Sequence, residues 1–231
     1  MATHYNSKII TDGLILCLDA ANSKSYPGSG TTWTDLSGNG NTGTLVNGVG
    51  YSASNGGALS FDGSNDYVDC GDREIFKIPS QLTLEAFFNI STYVNWSGII
   101  GKSNSGKGVY MMHLSASAPR IRFSYNSVSP WTVNIVDGNY ALTTNQWLHS
   151  VIVYDGSNVN FYINGSLDKT QNIGSITFDT GAGYSVTLGQ DPPGSNEFFN
   201  GRISNAKIYN RALSAAEISQ NFNALRGRFG I

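Results

Sequence analysis

Charge is the first thing this sequence has little of. Only 13% of its 231 residues are Asp, Glu, Lys or Arg, against about 25% in an ordinary soluble domain. The net charge is −2, so no basic field exists to hold nucleic acid or an anionic membrane surface. Cysteine is almost absent. Cys17 and Cys70 cannot make a disulfide scaffold; each lies in a short apolar run and is expected as a buried thiol, with a bond between them depending on a separation that sequence does not reveal. Long apolar runs are missing too: the longest, residues 14–18, is far too short to cross a bilayer. The opening MATHYNSKIITDG lacks the apolar core of a secretory signal. The expectation is a chain made without cleavable targeting, or numbered after its removal. The sequons at Asn89, Asn95 and Asn164 then arise by chance. A Gly-x-Ser-x-Gly elbow, a Walker loop and a Cys-His zinc cluster are all absent from the sequence, which removes the commonest nucleophile, phosphate and zinc chemistries.

What is present is strand grammar. In QWLHSVIVYDGSNVNFYINGSLD (146–168), two strand-like runs flank Asp155-Gly156-Ser157-Asn158, and Asn164-Gly165 opens a second turn. Asp-Gly and Asn-Gly supply the positive backbone angles of hairpins, so the segment reads as a three-stranded meander. Strands are expected at 14–19, 58–61, 67–70, 82–90, 98–102, 109–114, 120–125, 132–136, 147–154, 159–163, 185–188 and 202–209, with loops at 23–43 and 51–57. Leu82, Leu84 and Ala86 share one face; Ile121, Phe123 and Tyr125 share another, with Arg120 and Arg122 opposite. Residues 14–18 are apolar on both faces and suggest a central strand. One helix is expected: Ser214-Ala215-Ala216-Glu217 is a capping box, followed by an Ile218, Phe222, Leu225 stripe. The fold class is therefore all-β, a two-layer antiparallel sandwich in one domain over 1–231. Residues 1–12 and 226–231 are extended arms; in the second, Phe229 and Ile231 would be exposed unless a neighbouring subunit covers them.

Four segments carry a resemblance. They are Ser60 through Val68, Leu82 through Phe87, Gln146-Trp147-Leu148-His149 with Asn164-Gly165, and Phe199 through Ile203 running on to Ser214. In their order they resemble the laminin-G-like jelly roll of the concanavalin A-like lectin and glucanase group. The opening Gly13 through Asn22, the loop Trp33 through Asn41 and the ending Asn221 through Phe229 resemble virion structural proteins of tailed phages. The resemblance implies a location on the virion after assembly in the host cytoplasm.

Each candidate chemistry has a plainer competitor. Glycoside hydrolysis needs two flanking carboxylates, about 5–5.5 Å apart for retention. Glu85 is the only strand-interior acid of that kind, so it reads as a structural acid paired with an arginine. The loop Asp35, Ser37, Asn39, Asn41 places oxygen ligands at alternate positions with a glycine at the sixth, as in the first half of an EF-hand loop. It holds one carboxylate, and position twelve is Val46; an Asn-Gly-rich turn is the preferred reading, and a weak Ca2+ site the alternative. Trp131, Trp96 and Tyr125 are the candidate sugar-stacking residues, with core packing as the competing role. Trp147 is expected in the core, and Trp33 as the anchor of its loop. The expected function is non-enzymatic: a virion surface, decoration or tail-associated protein, homo-oligomeric through its sheet edges, binding virion neighbours or a host-surface glycan. The alternative is a secreted, extracellular carbohydrate-binding lectin domain, calcium-dependent if the loop holds the ion.

Overall fold

A computed structural model describes residues 8–104, 107–126, 133–191 and 197–231. Along them run β1 (Leu14–Asp19), β2 (Thr32–Trp33), β3 (Gly43–Val46), β4 (Gly50–Ser52), β5 (Ala58–Asp62), β6 (Tyr67–Asp69), β7 (Leu82–Thr92), β8 (Gly98–Asn104), β9 (Lys107–Leu114), β10 (Ile121–Asn126), β11 (Val133–Asp137), β12 (Trp147–Tyr154), β13 (Asn158–Ile163), β14 (Ser166–Asn172), β15 (Val186–Leu188) and β16 (Asn200–Tyr209), then α1 (Ala215–Leu225).

The meander forms as its turns dictate. The Asp155 carboxylate accepts the N–H groups of Ser157 (3.0 Å) and Asn158 (2.7 Å). This is the local bond that lets aspartate close a β12–β13 turn. Asn164 (φ 50°) and Gly165 (φ 78°) both take positive angles, so β13 runs into β14 through a tight hairpin.

Among the described residues the strands make two antiparallel sheets of eight. The first runs β14-β13-β12-β7-β16-β5-β4, with β1 on the half of β16 that β5 leaves free; the second runs β11-β10-β9-β8-β15-β6-β3-β2. The architecture is a jelly-roll sandwich with one short C-terminal helix. Its core is filled by alternate residues of both inner faces: Leu84, Ala86, Phe88 and Ile152 from one side, Tyr110, Met112, Leu114 and Phe123 from the other. Phe178 makes edge-on contacts with Tyr110, Phe123 and Tyr154. Burying each such side chain stabilises the fold by about 1.5–3 kcal/mol.

Several expectations change. β2 and β3, at the end of the second sheet, and β4, at the edge of the first, were not among the expected strands; β2 lies inside the loop expected at 23–43, and β4 overlaps the one at 51–57. These strands are two to four residues long, too short to show alternation. β1 pairs only with β16; it is buried on both faces because Ile15, Leu16 and Leu18 enter the main core while Leu14 and Cys17 pack in a separate cluster with Leu213 and Ile218. It is not a central strand. Both cysteines are buried and free; Cys17 lies in that outer cluster and Cys70 in the main core. Burial pushes the Cys17 thiol up to about 11. The C-terminal tail is not a solvated arm: Phe229 is buried in its own chain against Phe87 (4.9 Å) and Trp147 (4.6 Å).

Candidate ligand-binding face

The sandwich has two outer faces, and the helix covers one of them. On the first sheet the capping box forms as read: Ser214 Oγ accepts the Glu217 N–H, and the Glu217 carboxylate accepts the Ser214 N–H. The helix thus started lays Ile218, Phe222 and Leu225 against the sheet. Beneath it lies Glu85, fully buried. Its Oε1 accepts Lys207 Nζ (2.8 Å) and lies 3.2 Å from His149 Nε2, while its Oε2 accepts Asn221 Nδ2 (2.7 Å). Burial by itself raises the Glu85 carboxyl, but Lys207 first, and then His149, override it and hold it at about 2. Burial pushes the His149 imidazole down. The partner of Glu85 is therefore a lysine, not the expected arginine. The carboxylate has no solvent and no second acid beside it, so it cannot work on a glycosidic bond.

The outer face of the second sheet carries no helix. Strand alternation sends Met111 and His113 of β9 outward, with Arg122 and Ser124 of β10 and Ile135 and Asp137 of β11. Register then aligns Asp137, Arg122, His113 and Gly98 in one row. Arg122 grips Asp137 with two bonds, Nε to Oδ1 at 2.6 Å and Nη2 to Oδ2 at 2.8 Å, so its charge is neutralised in place. Trp96 lies over this row: the Arg122 guanidinium is 4.6 Å from its ring centroid and the His113 ring 5.4 Å. Trp96 has φ +64°, a left-handed conformation that is a genuine outlier for so bulky a residue. Such strain gathers at binding and catalytic sites.

Gly98 admits the next segment. A Cβ there would stand 2.0 Å from the Gln190 carbonyl oxygen, so only glycine lets Gln190 and Asp191 cross the strand. Asp191 Oδ1 accepts Ser103 Oγ (2.8 Å), and its Oδ2 lies 3.7 Å from His113 Nδ1. Burial pushes the Asp191 carboxyl up to about 7, and pushes His113 down to about 3 with help from Arg122. His113 Nε2 shares a 2.5 Å contact with Ser124 Oγ. A serine, a histidine and an aspartate thus stand in line, yet 3.7 Å is too long for the orienting hydrogen bond. The Ser124 side chain is buried as well. That line is not a nucleophilic centre.

Beside Asp191 opens a shallow groove of about 210 Å³, lined by Tyr67, Asp69, Ser103, Tyr184, Thr187 and Gln190. Both tyrosines are half-buried. Lys102, buried under the groove, donates to Asp72 (2.5 Å) and to the Tyr184 carbonyl (2.6 Å); Asp72 also accepts the Gly183 N–H. This clamp fixes the wall that carries Tyr184.

The sequence-expected site residues divide. Trp96 is on this face. Trp131 lies outside the described residues. Tyr125 points the other way, into the core, stacked on Phe123 (5.5 Å) and edge-on to Phe178, because it shares the inward parity of Phe123. Asp35, Ser37, Asn39 and Asn41 do come together, as a peg that fastens their loop to β1. Asp35 accepts the N–H groups of Cys17, Ser37 and Asn41 and the Ser37 hydroxyl. Asn39 and Asn41 donate to the Leu14 and Ile15 carbonyls. The one carboxylate is spent on hydrogen bonds that a Ca2+ ion would have to break, which favours the turn over the calcium reading. Among the described residues no group of three His, Cys, Asp or Glu side chains is placed to hold a metal. Tyr67, Asp69, Tyr184, Thr187 and Gln190 were missed as site residues. Strand parity in 67–69 could have flagged the first two; nothing in sequence brings 184–190 beside them.

Residues 62–219 match the family model described as the concanavalin A-like lectin/glucanases superfamily. No curated protein matches the chain in sequence. Among solved structures, the chain is similar to domain 4 of AbnA, an extracellular arabinanase of Geobacillus stearothermophilus, in complex with arabinotriose (20% identity, TM-score 0.69, covering 90% of this chain and 97% of that one). It is also similar to the binding domain of Paraclostridial mosquitocidal protein 1 (16%, 0.68, 93% and 52%) and to the binding domain of botulinum neurotoxin DC in complex with rat synaptotagmin II (18%, 0.70, 94% and 52%). The chain spans about half the length of those two toxin domains. At these identities the likeness is one of fold.

Proposed function

The chain belongs to the concanavalin A-like lectin/glucanases superfamily, and from that premise we propose that it is a non-catalytic binding domain that takes an uncharged oligosaccharide on the helix-free face of its second sheet. One observation carries this. The groove between Tyr67 and Tyr184 joins two half-buried aromatic rings to a carboxylate, hydroxyls and an amide. An aromatic ring takes the C–H face of a sugar while Asp69 and Gln190 pair with its hydroxyls. Lys102 under the groove is already held by Asp72, and Arg122 by Asp137, so nothing here calls for an acidic sugar. The arabinotriose complex of the arabinanase domain supports the class of ligand, and the toxin binding domains support a binding rather than a catalytic role. Together the neighbours favour the lectin reading over the virion one.

The test is a titration of the chain with arabinotriose and a panel of other neutral oligosaccharides, with and without chelator. Binding is expected to survive the chelator. Tyr184→Ala is expected to weaken it at least about tenfold, the worth of one lost stacking contact and its hydroxyl partner. Unchanged binding in that variant overturns this placement of the site.

A further inference from the structure

A second concavity of about 330 Å³ lies at the rim of the first sheet, built from other elements. Its floor is apolar, with Phe88 and Ile90 of β7, Leu148 of β12 and Phe229 of the tail. Tyr140, 40% exposed, stands at its wall. Its rim is made of amides. Asn145 (φ 61°) and Asn164 (φ 50°) both hold the left-handed conformation, and each is locked onto a strand. The Asn145 N–H donates to the Ile90 carbonyl, and Asn164 gives its N–H to the His149 carbonyl and takes the His149 N–H on its Oδ1. That leaves the Asn164 Nδ2 free to donate. Gln146 takes the Thr143 hydroxyl on its Oε1, leaving its Nε2 free as well.

The lining selects the ligand by exclusion. No Asp, Glu, Lys, Arg or His side chain lines the cleft, so a charged group would find no side-chain counter-ion. A wholly apolar ligand would cover the amides and leave them unpaired, which costs free energy. A sugar ring suits both halves, its C–H face on Tyr140 and the apolar floor, its hydroxyls on the amides. The volume lies at the small end of ligand pockets, about 300–1,000 Å³.

We propose that this rim cleft is a second sugar subsite, taking one uncharged ring of a glycan. The proposal rests on the reading that the chain binds neutral glycans, and places a second, separate contact for them. Two sites on one rigid sandwich raise avidity for a repeating glycan without any added contact at either.

The experiment titrates arabinotriose and cellotriose into three forms of the full chain: wild type, a Tyr140→Ala/Asn145→Gly double variant, and Tyr184→Ala. Calorimetry gives the number of sites, and saturation-transfer NMR follows the sugar protons. Asn145→Gly keeps the left-handed backbone, and Tyr140 is exposed, so the double variant is expected to melt as wild type does. If it does not, Gln146→Ala replaces it. The expected result is two sites in wild type, one in the rim variant with affinity at the lost site reduced about tenfold or more, and the other one in Tyr184→Ala. A rim variant that titrates like wild type overturns the subsite and leaves the sheet-face reading standing. Loss of all binding in the rim variant alone keeps the subsite and overturns the sheet-face reading. A wild type that binds neither sugar overturns both.

Discussion

Asp191 shows what a single residue contributes at the proposed site. It sits in the segment that crosses Gly98, bonded to Ser103 and facing His113. Burial raises its carboxyl from 3.8 to about 7, so the folded chain prefers the protonated form. A group raised on folding contributes stability that is whole below its unfolded value and is lost as pH climbs through its folded one. Asp191 therefore destabilises the chain progressively from about pH 4 to about pH 7. Asp191→Asn is expected to gain melting temperature relative to wild type as pH rises across that range and to be more stable than wild type at pH 8. A variant that melts below wild type at pH 8 contradicts this assignment. None of this was legible in sequence, since Asp191 meets Ser103 and His113 only through the crossing. Trp96 was legible as an indole beside Asn and Ser, but not that Arg122 and His113 would stand under it.

At the scale of elements, the helix was readable to its cap because a capping box is a contiguous signal. Ser214→Ala removes one cap bond and is expected to cost about 1 kcal/mol, read as a lower denaturant midpoint at unchanged slope. No loss would mean that packing of Ile218 and Phe222 alone holds α1. Long strands were legible by alternation: β7, β10 and β12 fell where periodicity put them. The short strands β2, β3 and β4 were not. Each is ordered by the neighbour it pairs with and carries no pattern of its own. The tail escaped for the same reason; its six residues look like a polar end until Phe87 and Trp147 supply a pocket for Phe229.

On the scale of the whole molecule, Glu85, Lys207 and Asn221 join β7, β16 and α1 in one buried network. Lys207→Met leaves Glu85 buried without its cation and is expected to cost about 3–5 kcal/mol, whereas the Glu85→Gln/Lys207→Met pair should recover most of it. Chemical denaturation of the three variants measures both. Glu85 is lowered from 4.5 to about 2 and His113 from 6.5 to about 3. Groups lowered on folding contribute stability that is present above their unfolded values and lost as pH falls. His113 thus contributes a loss as pH falls below about 6.5, which the gain from Asp191 offsets down to about pH 4. The net acid loss is therefore set by Glu85 below about pH 4.5, and Lys207→Met, which leaves burial to raise Glu85, should make that loss shallower. A Lys207→Met variant that keeps the acid limb of the wild type would contradict the Glu85 assignment.

Sequence by itself determined the layers. Period-two alternation and Asn-Gly or Asp-Gly turns are local facts, written between residues a few positions apart, and they are enough to make pleated strands that must bury one face. Only the tertiary structure decided which outer face the helix covers, where Asp191 and Tyr184 lie relative to Tyr67, and that Glu85 meets a lysine. The contact of Glu85 with Lys207 joins residues 122 positions apart. Such contacts exist because two sheets close on each other and a helix shuts one side, and no short-range pattern records that closure.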